Sequence, residues 1–253
     1  MIQVCILCGG TGTRLKEQTE FLPKPLIQIG GKPMIWHIMK IYAHYGFTDF
    51  VLSLGYKQEC FKNYFAHFYE INHDMVLTEL GISWKAIWEK WRVVLSDTGI
   101  NTLKGARLKR IETYIKGDTF LCTYGDGLSD VNIHELLAFH KSHGKIATIT
   151  GVHPSPRFGE IHHVNGLVQA FSEKPQGECL MNGGFMVFNR GIFDYLSEDE
   201  SCDLETGCFD ALTEDKELMV FPHTGYWSCM DTLKDVGILQ NEWDSGNVPW
   251  KTW

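Results

Sequence analysis

The residues with the clearest chemical purpose stand near the start of the chain. An apolar run, Val4-Cys5-Ile6-Leu7-Cys8, empties into Gly9-Gly10-Thr11-Gly12-Thr13, followed by Arg14 and then by Lys24 within Pro23-Lys24-Pro25. Glycines let a backbone bend sharply and come close to a ligand. The N–H groups exposed in such a turn hold phosphate oxygens, and two cations just beyond it suit a triphosphate better than a neutral molecule. Other phosphate loops fit less well. A dinucleotide fingerprint needs a third glycine where Leu15 stands, and in a P-loop the Gly31-Lys32 pair would be followed by Ser or Thr rather than Pro33. A second apolar run, Phe120 to Thr123, ends at Tyr124-Gly125-Asp126-Gly127. In open α/β sheets ligands sit beyond the carboxyl ends of strands. Asp126 and the glycine loop therefore open onto one edge, a carboxylate facing a phosphate cradle, which is what magnesium binding requires. Asp130 reads instead as a cap for the helix that follows.

These segments carry a resemblance. Gly9 to Leu15 with Pro23-Lys24-Pro25 resembles the signature of the sugar-1-phosphate nucleotidylyltransferases. Gly30 to Lys40, Asp97-Thr98-Gly99, Arg157-Phe158-Gly159, Glu173-Lys174-Pro175, Asn182-Gly183-Gly184-Phe185, Met230-Asp231-Thr232 and the tail Pro249 to Trp253 extend it from end to end. Trp36 to Lys40 and the tail point to the branch that acts on CTP and glucose 1-phosphate.

The resemblance implies an α/β, Rossmann-like three-layer fold on a mixed, mostly parallel sheet, the nucleotide-diphospho-sugar transferase fold, with a small sugar-binding extension. One domain would cover 1–253, with the nucleotide half running to about 130 and the sugar half filling 131–253. The implied reaction is magnesium-dependent. A sugar-phosphate oxygen attacks the α-phosphorus of CTP in line, giving CDP-glucose and pyrophosphate, for deoxysugar or surface-polysaccharide synthesis. The nucleophile is already an anion, so no Ser, Cys or His base is needed, and catalysis reduces to positioning and charge neutralisation.

By resemblance, Arg14 meets the β- and γ-phosphates, Lys24 the α-phosphate, and Asp126 and Asp231 the metal. Leu7, Gly9, Gly10, Thr11, Gly12, Thr13, Thr102, Arg107 and Gly125 complete the nucleotide site. Glu173, Lys174, Asn182 and Gly183 take the sugar phosphate. Two alternatives stand beside this reading: the same reaction on another hexose or heptose 1-phosphate or another nucleotide, and a silent nucleotide-sugar-binding subunit. The chain departs from the cytidylyl branch at Cys8, Glu160 to His163, Leu204 to Cys208 and Ser228-Cys229, and the departures on the sugar side bear on which sugar is taken.

The elements that must position these groups are legible in the apolar pattern. Ile2 to Leu7 and Phe50 to Leu54 read as strands buried on both faces. Pro33 to Tyr45 reads as a helix with proline in its first turn and Gly46 as its stop, and Lys57 to Tyr69 as a second helix. This alternation marks βαβ units. Strands are expected at Met75 to Leu80 and Trp91 to Leu95, a helix over Leu103 to Tyr114, a strand at Phe120 to Thr123, a helix over Asn132 to His143 and a strand at Ala147 to Val152. Two short strands turning at Asn165-Gly166 follow, then a strand at Phe185 to Phe188 and a helix from Gly191. Trp84, Trp88 and Trp91 read as core or interface residues.

Bulk properties narrow the classes. The 253 residues carry a formal charge of −8, 44% apolar and 21% charged residues. That balance argues against a broad nucleic-acid or membrane surface but not against phosphate, because a metal and a few cations can dominate one cleft. With no secretory signal and no long apolar segment, a cytoplasmic location is expected. Of the eight cysteines, Cys5 and Cys8 form a C-x-x-C. A strand would point them to opposite faces, and no second such pair exists to complete a zinc site. The eleven histidines show no H-E-x-x-H pattern. A homo-oligomer is expected, with the Trp-rich tail as a candidate contact.

Overall fold

A computed structural model describes residues 2–79, 81–85, 89–153, 160–165, 167–172 and 179–253. Its centre is a seven-stranded sheet. The strands are β1 (Val4–Leu7), β2 (Asp49–Leu54), β3 (Arg92–Asp97) and β4 (Thr119–Tyr124), then, after a short β5 (Gly127–Ser129) outside this sheet, β6 (Ala147–Val152), β7 (Met181–Asn189) and β8 (Leu218–His223). Their order is β8-β6-β7-β4-β1-β2-β3. The pairs β1–β2, β1–β4, β2–β3 and β6–β8 are parallel, and β7 runs antiparallel to both neighbours. The mixed, mostly parallel sheet expected from the sequence is present.

Successive strand residues point to opposite faces, and both faces are covered. Val4, Ile6, Phe50, Leu52 and Phe185 pack on one side with α1 (Met34–His44), α2 (Gln58–Ala66), α4 (Ile133–His143) and α6 (Leu233–Asp244). Cys5, Leu7, Val51, Phe120 and Phe188 pack on the other with α3 (Lys104–Arg110) and α5 (Cys208–Glu214). Cys5 and Cys8 fall into the two opposite clusters, and all eight cysteines are free thiols. Trp91 lies edge-on to Phe50 at 5.8 Å, a core contact.

Most elements stand where the pattern places them, and the differences have local causes. Asp130 does not cap α4. Two residues separate it from the helix, so Asn132 holds the cap position and accepts from the N–H groups of His134 and Glu135, while Asp130 pairs with His223 at 2.9 Å. The helix expected over Lys57 to Tyr69 breaks into Gln58–Ala66 and Phe68–Asn72, and the one over Leu103 to Tyr114 ends at Arg110 before a 3-10 turn at Glu112–Tyr114. The segment after Gly191 is a 3-10 helix, Arg190–Tyr195. Asp74–Thr78 pairs with Gly81–Lys85 as a hairpin beside the main sheet. Glu160–Val164 pairs with Leu167–Ser172 across Asn165, whose φ is +51°, as expected of that turn.

The tail is not spent on the surface. Trp250 is fully buried, and its indole N–H donates to His37 Nδ1 at 3.4 Å. His37 Nε2 donates to the carbonyl of Ile29 at 2.9 Å. Trp243 of α6 lies edge-on to the same imidazole at 5.0 Å. Gly30 and Gly31, at φ +58° and +73°, turn a short ladder between Gln28–Ile29 and Lys32–Pro33. A Cβ on Gly30 would stand 2.1 Å from the Trp243 indole nitrogen, so glycine is required there.

Burial pulls the His37 pKa down from 6.5 to about 4. The unfolded chain therefore takes up a proton below pH 6.5 that the folded chain refuses until about pH 4. Stability is undiminished above that window and falls as the pH drops through it, by about 3 kcal/mol at most. His37→Gln keeps a donor for Ile29 and cannot titrate, so its urea midpoint should fall less between pH 7 and pH 4.5 than that of the parent. Parallel pH profiles for the two proteins would refute this role.

Candidate active site

The carboxyl ends of β1 and β4 open onto a cleft of about 700 Å³. After Leu7 the chain continues as a loop, because Cys8 N–H still bonds to Ser53 O while Gly9 turns away from the sheet. Gly12, at φ +64°, starts the 3-10 turn Thr13–Leu15, and Leu15 N–H closes on its carbonyl. Arg14 projects from that turn with its side chain 73% exposed. Lys24 opens a second 3-10 turn, Lys24–Leu26, set up by Pro23 at φ −64°.

Two ladder strands bring the acidic groups together. Leaving β4, Gly125 N–H returns to Leu7 O, and Asp126 follows directly. Its carbonyl accepts from Met230 N–H, extending the antiparallel ladder between β5 and β9 (Trp227–Cys229). Asp231 comes next, just before Thr232, the N-cap of α6, whose hydroxyl and N–H are tied to Asp235. Lys24 Nζ bridges the two carboxylates, at 2.6 Å from Asp126 Oδ2 and 2.7 Å from Asp231 Oδ1, and Arg14 Nη1 lies 2.8 Å from Asp231 Oδ2. Burial pulls the Lys24 pKa down, but the Asp126 charge and the bonds to both carboxylates outweigh it and leave it raised. Lys24 is thus held as an ammonium. One oxygen each of Asp126 and Asp231 and the Cys229 sulfur lie within 4.8 Å of one another. The carboxylate oxygens fit a magnesium ion sharing phosphate oxygens and water. Burial, then the Asp126 charge, push the Cys229 thiol up, so it is neutral beside them.

Arg107 takes a different place from a surface ligand-binding arginine. It is 3% exposed. Nη1 donates to Leu54 O, Thr98 Oγ1 and Gly99 O, and Nη2 to Gly9 O and Ile100 O. The guanidinium bolts the glycine loop to the ends of β2 and β3. Burial, and then Arg110, lower its pKa from an ordinary arginine's. Thr102 is buried beside it, its hydroxyl accepting from Arg110 at 2.9 Å.

Among the sequence candidates, Leu7, Gly9, Gly10, Gly12, Thr13, Arg14, Lys24, Thr102, Arg107, Gly125, Asp126, Asn182, Gly183 and Asp231 line this cleft. Thr11 faces a smaller neighbouring hollow with Thr19 and Tyr56. Glu173 and Lys174 lie outside the described residues, as does Arg157-Phe158-Gly159.

The structure adds a polar wall that sequence reading missed. The Tyr124 hydroxyl donates to Glu205 Oε1 at 2.6 Å and accepts from Asn182 Nδ2 at 3.1 Å. Lys104 Nζ pairs with Glu205 Oε2 at 2.6 Å, and Trp227 Nε1 donates to Gly183 O at 2.7 Å. Burial, then Glu205, push the Tyr124 phenol up, so it remains a donor. Tyr124 stood at a strand end beside Gly125-Asp126 and carried a signal. Glu205 fell within the departing stretch Leu204 to Cys208, but Lys104 carried no signal, and the two meet only through the tertiary fold.

The bolt yields a sharp contrast between two adjacent glycines. A Cβ on Gly9 would stand 2.0 Å from Arg107 Nη1, whose five acceptors prevent it from yielding, whereas a Cβ on Gly10 meets nothing within 4 Å. Gly9→Ala should cost about 1–3 kcal/mol by overpacking, and Gly10→Ala under about 0.5 kcal/mol. Thermal denaturation of the two variants checks this, and equal losses would refute the bolt.

Comparisons with known proteins agree with this geometry. The nucleotidyl transferase family profile matches residues 3–245. The glucose-1-phosphate cytidylyltransferase of Salmonella typhi is 43% identical over 258 residues, covering 100% of both chains. The mannose-1-phosphate guanyltransferase of Gibberella zeae is 32% identical, covering 91% of this chain and 61% of its own length. Among solved structures, a UDP-glucose pyrophosphorylase complexed with UDP-glucose superposes with a TM-score of 0.69 at 15% identity, over 97% of this chain and 100% of that one. Matched by the profile over nearly its whole length and by a 43% identical relative from end to end, this chain belongs to the nucleotidyl transferase family.

Proposed function

We propose that this enzyme transfers the cytidylyl group of CTP to α-D-glucose 1-phosphate, releasing pyrophosphate and forming CDP-glucose. The observation that carries the choice of substrates is the full-length 43% identity to a glucose-1-phosphate cytidylyltransferase. The chemistry follows from the site. Two polyanions must be held together while charge builds on the α-phosphate. Lys24, fixed between two prolines and held as an ammonium, is the group placed to meet that charge. Arg14, exposed on its turn and paired with Asp231, reaches the outgoing phosphates. A magnesium ion held by Asp126 and Asp231 supplies further neutralisation. Arg107 keeps the Gly9-Gly10 backbone aimed at the base and phosphates by holding Gly9 O. The region to about residue 130 serves the nucleotide, and 131–253, with Asn182, Gly183, Glu173 and Lys174, serves the sugar phosphate. No helix among the described residues is long and apolar enough to cross a membrane, and we place the reaction in the cytoplasm, in a homo-oligomer.

A second reading keeps the reaction and changes the substrates. The 32% identity to a mannose-1-phosphate guanyltransferase motivates it. A matrix of nucleoside triphosphates against sugar 1-phosphates with magnesium, read by pyrophosphate release and product mass, separates the two. The expected product is CDP-glucose, from CTP and glucose 1-phosphate together. Turnover with GTP or dTTP and none with CTP would reject the assignment. Asp126→Asn and Lys24→Met should each lower kcat by about 100- to 1,000-fold, the scale of removing one preorganised charge-stabilising group, with the circular dichroism spectrum unchanged. Full turnover in either variant would remove that residue from the chemistry, and a protein silent across the whole matrix would return it to the reading of a binding subunit.

A further inference from the structure

We infer that Glu205 is a positioning residue for the sugar phosphate: through the Tyr124 hydroxyl it orients the Asn182 carboxamide so that an N–H, not a carbonyl, meets a hydroxyl oxygen of the sugar. The inference rests on the reading of this cleft as a sugar 1-phosphate site. Each bond in the polar wall dictates the next. The Gly184 N–H can meet only an oxygen, so Asn182 Oδ1 accepts it at 2.9 Å and the amide nitrogen turns to Tyr124. An amide nitrogen only donates. The Tyr124 oxygen therefore accepts from it at 3.1 Å and must direct its own O–H elsewhere. Glu205 Oε1 accepts that O–H at 2.6 Å. Asn182 lines the cleft, and its second N–H has no partner among the described residues. That N–H is the donor the wall offers to a ligand.

Lys104 sets the direction of the chain of bonds. Its ammonium lies 2.6 Å from Glu205 Oε2, and an ammonium has no acceptor. The group at position 205 must then show one acceptor to Lys104 and another to Tyr124. A carboxylate does this and a carboxamide does not. The surroundings fit closely around these groups. Gly184, at φ +81°, leaves room for the tyrosine, because a Cβ there would stand 2.7 Å from Tyr124 Cδ2. The segment that carries Glu205 is tied to the start of α3. Leu204 is fully buried, and the carbonyls of Glu200 and Cys202 accept from Leu103 and Ala106 N–H at 2.8 and 3.0 Å. A Cβ on Gly105 would stand 2.9 Å from the Asp203 carbonyl oxygen, so glycine permits this approach.

Steady-state kinetics of the full-length protein with magnesium, CTP and glucose 1-phosphate test this, each variant first checked for fold by circular dichroism. In Glu205→Gln the Lys104 ammonium claims the amide oxygen, the amide nitrogen turns to Tyr124, and the tyrosine O–H is driven toward Asn182. The KM for glucose 1-phosphate should rise about 10-fold, the scale of one oriented hydrogen bond, with the KM for CTP unchanged. Tyr124→Phe should raise it by a similar factor. The double variant Glu205→Gln/Tyr124→Phe should raise it no further than Tyr124→Phe alone, because both changes act through one amide. Glu205→Gln/Lys104→Met should recover most of the parent's KM, since the amide oxygen is then free to face Tyr124. Among glucose 1-phosphates each lacking one hydroxyl, one analogue should show the same KM in the parent and in Glu205→Gln. No effect of Glu205→Gln, equal losses for CTP and the sugar phosphate, additive losses, no recovery with Lys104→Met, or a penalty on every analogue would overturn the inference. A parent that works on a different sugar 1-phosphate changes the proposed substrate alone, and the same comparisons made with that sugar judge the role of Glu205. A parent that binds no sugar 1-phosphate overturns both.

Discussion

The site depends on one electrostatic constraint: like charges have to be brought together and kept from separating. Asp126 and Asp231 are far apart in the chain, and two carboxylates a few ångströms apart repel unless a cation lies between them. Lys24 supplies it in the free protein, at hydrogen-bond distance from both. The same Coulombic logic then serves the substrates. A pair of carboxylates that accepts one positive charge also suits a divalent ion. Net charge conceals this. The chain as a whole is at −8, yet Arg14, Lys24 and the glycine loop gather at one cleft on one edge of the sheet.

Backbone hydrogen bonds convert that constraint into fixed geometry. The short β5–β9 ladder, with Met230 N–H on Asp126 O, sets one carboxylate beside the other through the backbone. Beside the glycine loop the Arg107 guanidinium does equivalent work, gathering carbonyls from three segments at the top of the sheet. Buried carbonyls need donors, and the glycine loop takes one of its own from an arginine below it. The space this arginine fills is the reason Gly9 and Gly55 lack side chains: a Cβ on either would stand within 2.4 Å of its Nη1.

Local signals and tertiary signals account for what was legible beforehand. The runs of β1, β2, β4 and β6 are short, rich in apolar and β-branched residues and bounded by turn residues, and so they read correctly. Helix ends read less well: Asp130 is of a good capping type but stands two residues too early, and only the geometry reveals that Asn132 does the capping. The glycine loop, Lys24 and Asp126 carry their chemistry in local order. Asp231 was paired with Asp126 through family resemblance alone, because nothing between them in the chain announces a ladder. Arg107 was legible as a site residue but not as a bolt, since its acceptors come from positions 9, 54, 98, 99 and 100. The Tyr124–Glu205–Lys104 wall has the same cause: its members converge from three elements by packing that no local pattern encodes.

The tail extends this argument from stability to the site. Asp231 directly precedes the N-cap of α6, so its carboxylate goes where the helix goes. The far part of α6 is docked by Trp243 over Gly30 and by the Gly30 N–H bonded to Gln240 Oε1 at 2.9 Å. The neutral His37, wedged against Trp243 and Trp250, holds that docking surface together. A proton on His37 would place a buried charge among indoles and replace the acceptor of the Trp250 N–H with a donor. The His37 joint and the Asp231 carboxylate therefore lie toward opposite ends of one helix. A strand ladder and a docked helix bring the two carboxylates together, and the Lys24 ammonium between them offsets their repulsion.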